Sequence, residues 1–166
     1  AKKRFNNTTT MDKRITNMEL QDIFNKAHKH FASMTEPSME AEDGNQCAYR
    51  GTNGNKCVVG AFIPDELYDE NLEGDALEME HDADYTLEFG YNDSRITEIL
   101  AKAFGQKTLT NEQYILLANL QITHDKNAMD WENYEKEDGV SWYDFIKPVI
   151  LSCAHDFKLE TGDNHA

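Results

Sequence analysis

Basic residues are scarce in this chain. Lys and Arg number 16 against 31 Asp and Glu, a formal net charge of −15. The few bases are unevenly spread: residues 1–34 carry seven bases and three acids, so the rest of the chain carries −19. Phosphate binding needs Lys and Arg to displace counterions, so direct nucleic-acid contact is excluded except through the basic segment 1–14. The same imbalance favours a basic protein surface or cations as partners, although a strongly negative surface also serves solubility alone.

Cysteine is also sparse. Cys47, Cys57 and Cys153 make an odd number without framework spacing, which argues against a disulfide-built domain. No apolar run approaches the length of a membrane span. The opening AKKRFNNTTT lacks the apolar region of a signal peptide, so the expected location is the cytoplasm. Gly51, Gly54 and Gly60 have neither GK[ST] nor GxGxxG spacing, which excludes the common phosphate loops.

The length, 166 residues, fits one domain with a core of its own. The reading is a flexible basic arm over 1–15, a single α+β domain over 16–159 and a polar tail over 160–166. In the first helix Leu20, Ile23, Phe24, Ala27, Phe31 and Met34 form an apolar face, with Thr16 and Glu19 spaced as a capping box. Residues 35–46 lack periodicity and read as loop. Asn53-Gly54 is a strong hairpin signal, and the apolar run from Lys56 to Ile63 reads as a buried strand or as one or two helical turns. The fold class expected is therefore mainly helical α+β, with a small β-hairpin near residues 47–63.

Pro64, Asp65 and Glu66 start a short helix that Gly74 ends. Residues 65–93 hold twelve acids and no Lys or Arg, with apolar and aromatic residues interleaved and a candidate strand at Tyr85–Phe89. Three more helices come after this stretch. One begins at Ser94 and stops at Gly105. The next carries a Thr110/Gln113 capping box, a Leu109/Tyr114 staple and Leu116, Leu117 and Leu120, and is expected to run to about His124. The last is capped by Ser141 and Asp144, with Pro148 expected to kink or break it.

Two patterns carry a resemblance. One is Cys47-Ala48-Tyr49-Arg50, then Gly54-x-Lys56-Cys57-x-Val59-Gly60, then Ile63-Pro64-Asp65-Glu66, Tyr68 and Glu73-Gly74. The other is Leu117-x-x-Leu120-Gln121-x-x-His124-Asp125 followed by Trp131. With Leu20–Phe24 they resemble a group of small tailed-phage and bacterial proteins to which no activity is assigned. The resemblance implies a phage setting and a host-directed accessory role, and carries no catalytic residue over.

Several constellations bear on chemistry. Cys47 and Cys57, completed by His124 and Asp125 or by Cys153 or His155, are candidate zinc ligands, but their spacing is not a CxxC chelate, and burial is the simpler account of the thiols. His81-Asp82, His124-Asp125 and His155-Asp156 are three His-Asp pairs. With His28 they suggest an HD-type metal hydrolase using His28, His124, Asp125 and Asp156. Cys57 with His124 is a candidate nucleophile–base pair. The acidic stretch is the fourth candidate. Duplex DNA shows one charge per roughly 1.7 Å of axis, and dense carboxylates on a folded surface imitate it. The sequence-level expectation is thus an acidic, DNA-mimic-like protein that occludes a basic host protein. The binding residues would be Asp65, Glu66, Asp69, Glu70, Glu73, Asp75, Glu78, Glu80, Asp82 and Asp84, with Tyr68, Tyr85 and Tyr91 as anchors. The alternatives are the metal hydrolase and a virion structural or assembly component.

Overall fold

The computed structural model describes residues 18–39, 47–52, 54–77, 79–81, 87–90, 94–134 and 138–162, with 79–81 and 87–90 described as backbone. The basic arm 1–15, Thr16, Asn53, Glu78, Asp82, Asp84, Tyr85 and Tyr91 lie outside the described residues, as does the side chain of Glu80.

The body is helical. Helix α1 spans Leu20–Ser33, α2 Val58–Ala61, α3 Arg95–Ala103, α4 Asn111–Asn133 and α5 Trp142–Asp156. Two 3₁₀ turns, Asp65–Leu67 and Glu70–Leu72, lie between α2 and α3. Outside the helices, β1 (Met79–His81) pairs antiparallel with β2 (Leu87–Gly90), with a bulge between Glu80 and His81, and β2 runs beside α4.

Helix α4 is the centre of the molecule. In its first half Tyr114, Leu116, Leu117, Ala118 and Leu120 are all buried, so nearly every side of the helix faces protein, as a central helix requires. Helix α1 lays Ile23, Phe24, Ala27 and Phe31 onto it, and α5 adds Trp142, Ile146, Ile150 and Ala154. Each large apolar side chain among these, taken fully from water, contributes about 1.5–3 kcal/mol. Capping residues fix the starts of α3, α4 and α5. Helix α1 begins at Leu20 behind Glu19, which makes no side-chain cap, so its start is not where the expected Thr16/Glu19 box would put it. Thr110 and Gln113 form a complete capping box on α4, Ser141 and Asp144 another on α5, and Ser94 Oγ accepts from Thr97 N–H on α3. Helix α4 runs past His124 to Asn133, because Ala128 and Trp131 extend its buried face. Trp131 then packs on Trp142 and Phe145, and Tyr134 stacks on Trp131. Pro148 sits inside α5 without ending it. It is exposed, so water can take the Asp144 carbonyl that its missing N–H leaves.

The α+β expectation is overturned: the fold is helical, and among the described residues no hairpin forms over 47–63. Gly54 does turn the chain at φ +81°, and Gly51 N–H donates to Asn55 O at 2.8 Å. Pairing then stops at a single Arg50–Lys56 bridge. Of the two readings left open for the run 56–63, a strand or one or two helical turns, the helical one forms, as α2. Cys57 Sγ accepts the N–H of Gly60 at 3.3 Å and so caps this turn. Val58, Val59 and Gly60 are all buried, which a strand with one face to water would not allow. Gly60 lies under the main chain of residue 49: a Cβ there would stand 2.0 Å from Tyr49 O. The thiol cap and this close approach are tertiary facts that an apolar run does not announce.

Candidate functional site

The segment between α1 and α2 is held together by one serine. Ser38 Oγ accepts the N–H of Gly51 at 3.0 Å, and its single proton is shared between Ala48 O at 2.8 Å and Asn55 O at 3.0 Å. Ser38 O accepts from Ala48 N–H, and Ser38 N–H donates to His124 Nε2 at 3.1 Å. A non-periodic loop residue thus ties residues 37–39, 47–51 and 55 to α4. Sequence reasoning missed it, because its bonds join residues far apart and leave no local signal.

That last bond decides the protonation of His124, which is fully buried. A backbone N–H can only donate, so Nε2 is the unprotonated acceptor and the ring proton sits on Nδ1. Nδ1–H donates to Asp125 Oδ1 at 2.9 Å, and Gln121 Nε2 donates to the same oxygen at 2.6 Å. Gln121 Oε1 accepts the N–H of Val59 at 3.1 Å, which anchors the start of α2. His124 and Gln121 lie three residues apart on α4, so both reach the same side of the helix.

Cys47 completes the group. Its thiol lies 3.7 Å from Met39 Sδ and 3.8 Å from Asp125 O, and burial, then the nearby Asp125, pushes it up to about 12. Ligand atoms of Cys47, His124 and Asp125 all lie within 4.8 Å of one another, a possible metal-binding triad. Cys57 is not part of it. It is fully buried, its sulfur caps α2, and burial pushes its thiol upward. Cys153, buried on α5 and held up at about 12 by burial and then Asp156, is likewise a poor nucleophile at neutral pH.

The HD-type set does not assemble among the described residues. His28 bonds Tyr143 Oη at 2.7 Å, and Asp156 stands exposed beside His155 at the end of α5.

The acids of 65–77 divide into three kinds. Asp65 pairs with Arg50 at 2.7 Å and Lys56 at 3.5 Å, and Asp69 with Arg95 at 2.8 Å. Arg50, then Lys56, hold the Asp65 carboxyl below the usual carboxylate range, and the Asn71 N–H does the same for Asp69, with Arg95 adding to it. Glu73 faces inward and accepts from Tyr49 N–H at 2.9 Å, Arg50 N–H at 3.0 Å and Tyr68 O–H at 2.9 Å. Asp75 Oδ2 accepts the N–H of Ile96 at 2.9 Å, in the first turn of α3, and Asp75 O accepts from Tyr49 O–H. Tyr68, expected as an exposed anchor, lies under the Arg50 guanidinium at 4.2 Å and is part of the scaffold. Glu66 and Glu70 remain exposed without a described partner.

Between residues 73–77 and α4 opens a cleft of about 230 Å³. Ala48, Leu77, Ala118 and Ile122 give it apolar walls; Glu73, Asp75 and Asp125 bring three carboxyl groups, and Cys47 lines it beside Asp125. Its described lining includes no Lys, Arg or His. Among the described residues no helix is long and apolar enough to cross a membrane. The chain matches no protein-family model, no curated protein and no solved structure.

Proposed function

We propose that this protein works by binding, using its negative surface to occupy a site on a basic protein that normally meets phosphate. The net charge of −15 on a folded chain carries the reading. The described bases nearest the acidic segment, Arg50, Lys56 and Arg95, are already engaged by Asp65 and Asp69, which leaves Glu66 and Glu70 uncompensated. The motif resemblance adds a phage setting, in which the partner is a host protein. Binding of this kind is driven by complementary charge and weakens as salt screens it. Affinity capture from host lysate at low and at high ionic strength tests the proposal. Basic partners released by salt support it, and partners retained equally at both ionic strengths overturn it.

A second reading is a zinc site at Cys47, His124 and Asp125, favoured by the convergence of their ligand atoms. It demands two changes. The Cys47 thiol must lose its proton against its burial, and His124 must free Nδ1 and carry its proton on Nε2, where Ser38 N–H now points. Stoichiometric zinc in the purified protein, lost on His124→Ala, would put this reading ahead of the first.

A further inference from the structure

The cleft beside α4 differs from a merely acidic surface in having apolar walls. Ile122 is 45% exposed at its rim, and Met129, two turns along the same helix, is 40% exposed. Residues seven apart share a helix face, so the two lie on one side of α4, with the exposed Lys126 between them. Large apolar side chains left open beside carboxylates suit a ligand that is itself apolar along its length and cationic at its end.

We propose that the cleft is a docking site for one lysine-bearing segment of a basic partner protein. The lysine stem lies along Ile122 and the edge of Leu77, its ammonium group reaches Asp125 and Asp75, and an apolar neighbour in the same segment covers Met129. This rests on the binding function above and names the group that is recognised.

Charge complementarity selects this occupant. The cleft brings three carboxylates and no described base, and the nearest base on the helix, Lys126, is exposed and outside the lining. The carboxylates are unequal. Both Glu73 oxygens are taken by Tyr49, Arg50 and Tyr68, so Glu73 contributes charge but no free acceptor. Among the described residues Asp125 accepts through Oδ1, with the Cys47 thiol beside its carboxyl, and Asp75 accepts through Oδ2. Among those residues no backbone or amide donor takes the second oxygen of either, which leaves it to an incoming ammonium group. A second copy of this chain is disfavoured at the same place, since it would set carboxylates against carboxylates. A lysine side chain is the natural match, because its four methylenes pack on apolar surface while its head seeks anions.

The test uses the full chain and two synthetic twelve-residue peptides of equal positive charge, one alternating lysine with leucine, the other alternating lysine with serine. Dissociation constants are measured by calorimetry, and ¹⁵N chemical shifts locate the binding. The lysine–leucine peptide is expected to bind more tightly and to shift the amides of Gly74, Ala76, Ala118 and Ile122. Asp125→Asn, which keeps an acceptor for His124 and Gln121, is expected to weaken it about tenfold, and Ile122→Lys at least as much. Glu36→Gln with Glu160→Gln removes two exposed charges outside the cleft and is expected to change affinity less than about twofold. Equal binding of both peptides, or equal loss in the Glu36/Glu160 and Asp125 variants, would overturn the cleft while leaving a diffuse acidic surface standing. Failure of both peptides to bind at low salt would overturn the cleft and count against the acidic reading as well.

Discussion

The backbone N–H of Ser38 donates to Nε2 of His124, and through that one bond the loop after α1 is fastened to the central helix. The bond fixes the tautomer, the tautomer points Nδ1–H at Asp125, and Asp125 in turn receives Gln121, which holds the start of α2. The His-Asp pair that reads as metal chemistry in the sequence also forms a chain of hydrogen bonds ending at a cleft.

His124→Ala should therefore be among the more damaging single substitutions. It leaves Ser38 N–H without its acceptor and opens a void in the core. The expected loss is about 3–5 kcal/mol, measured by urea unfolding. A loss under about 1 kcal/mol would show that the Ser38 tie is unimportant.

Gly60 and Gly54 should respond differently to alanine. At Gly60 the new Cβ would stand 2.0 Å from Tyr49 O, a backbone atom that cannot swing aside. The expected loss is about 3 kcal/mol or more. At Gly54 there is open space, and only the positive φ opposes a side chain, so about 1–2 kcal/mol is expected. The two melting curves decide between them.

Glu73 accepts three donors, so Glu73→Ala should destabilise by about 2–4 kcal/mol. The milder Glu73→Gln gives a second signal. Tyr68 is pushed up to about 12 by partial burial first and then by its bond to Glu73. Removing the negative charge should bring its titration down toward the ordinary 10.0, followed by NMR of labelled tyrosine as pH rises.

His30 supplies the pH dependence near neutrality. Its Nε2–H donates to Lys56 O at 2.6 Å, and burial lowers its pKa from the ordinary 6.5 despite that bond. The folded protein thus holds the His30 proton less tightly than the unfolded chain does. The stability due to this group is fully present above pH 6.5 and is lost as pH falls through the depressed folded value. The drop in unfolding free energy between about pH 7.5 and about pH 5 should be smaller in His30→Gln, whose amide keeps a donor for Lys56 O, than in the parent. An equal drop would remove His30 as its source.

The starts of α3, α4 and α5 are legible in the sequence because caps are local, while α1, expected to be capped by Thr16, starts instead behind an uncapped Glu19. Thr110 with Gln113, Ser141 with Asp144 and Ser94 each announce a helix from the residues of its first turn, and all three do so here. The segment 56–63 is not legible. An apolar run fits strand and helix alike, and the choice rests on Gly60 passing under Tyr49 and on the Cys57 thiol. Part of the site is legible: Cys47, His124 and Asp125 stand out as ligand types and do converge. Cys57 stands out with them and lies elsewhere. Glu73 and Asp75 read as surface charge, yet both accept backbone N–H groups, since a carboxylate looks the same in sequence whether it faces water or a main chain.

The claim that this chain binds a basic surface through its carboxylates is tested most directly by the affinity of the captured partner as salt is raised. The dissociation constant is expected to rise at least about tenfold between roughly 0.05 and 0.5 M sodium chloride, because screening acts on exposed charge pairs. An affinity unchanged across that range would contradict the claim.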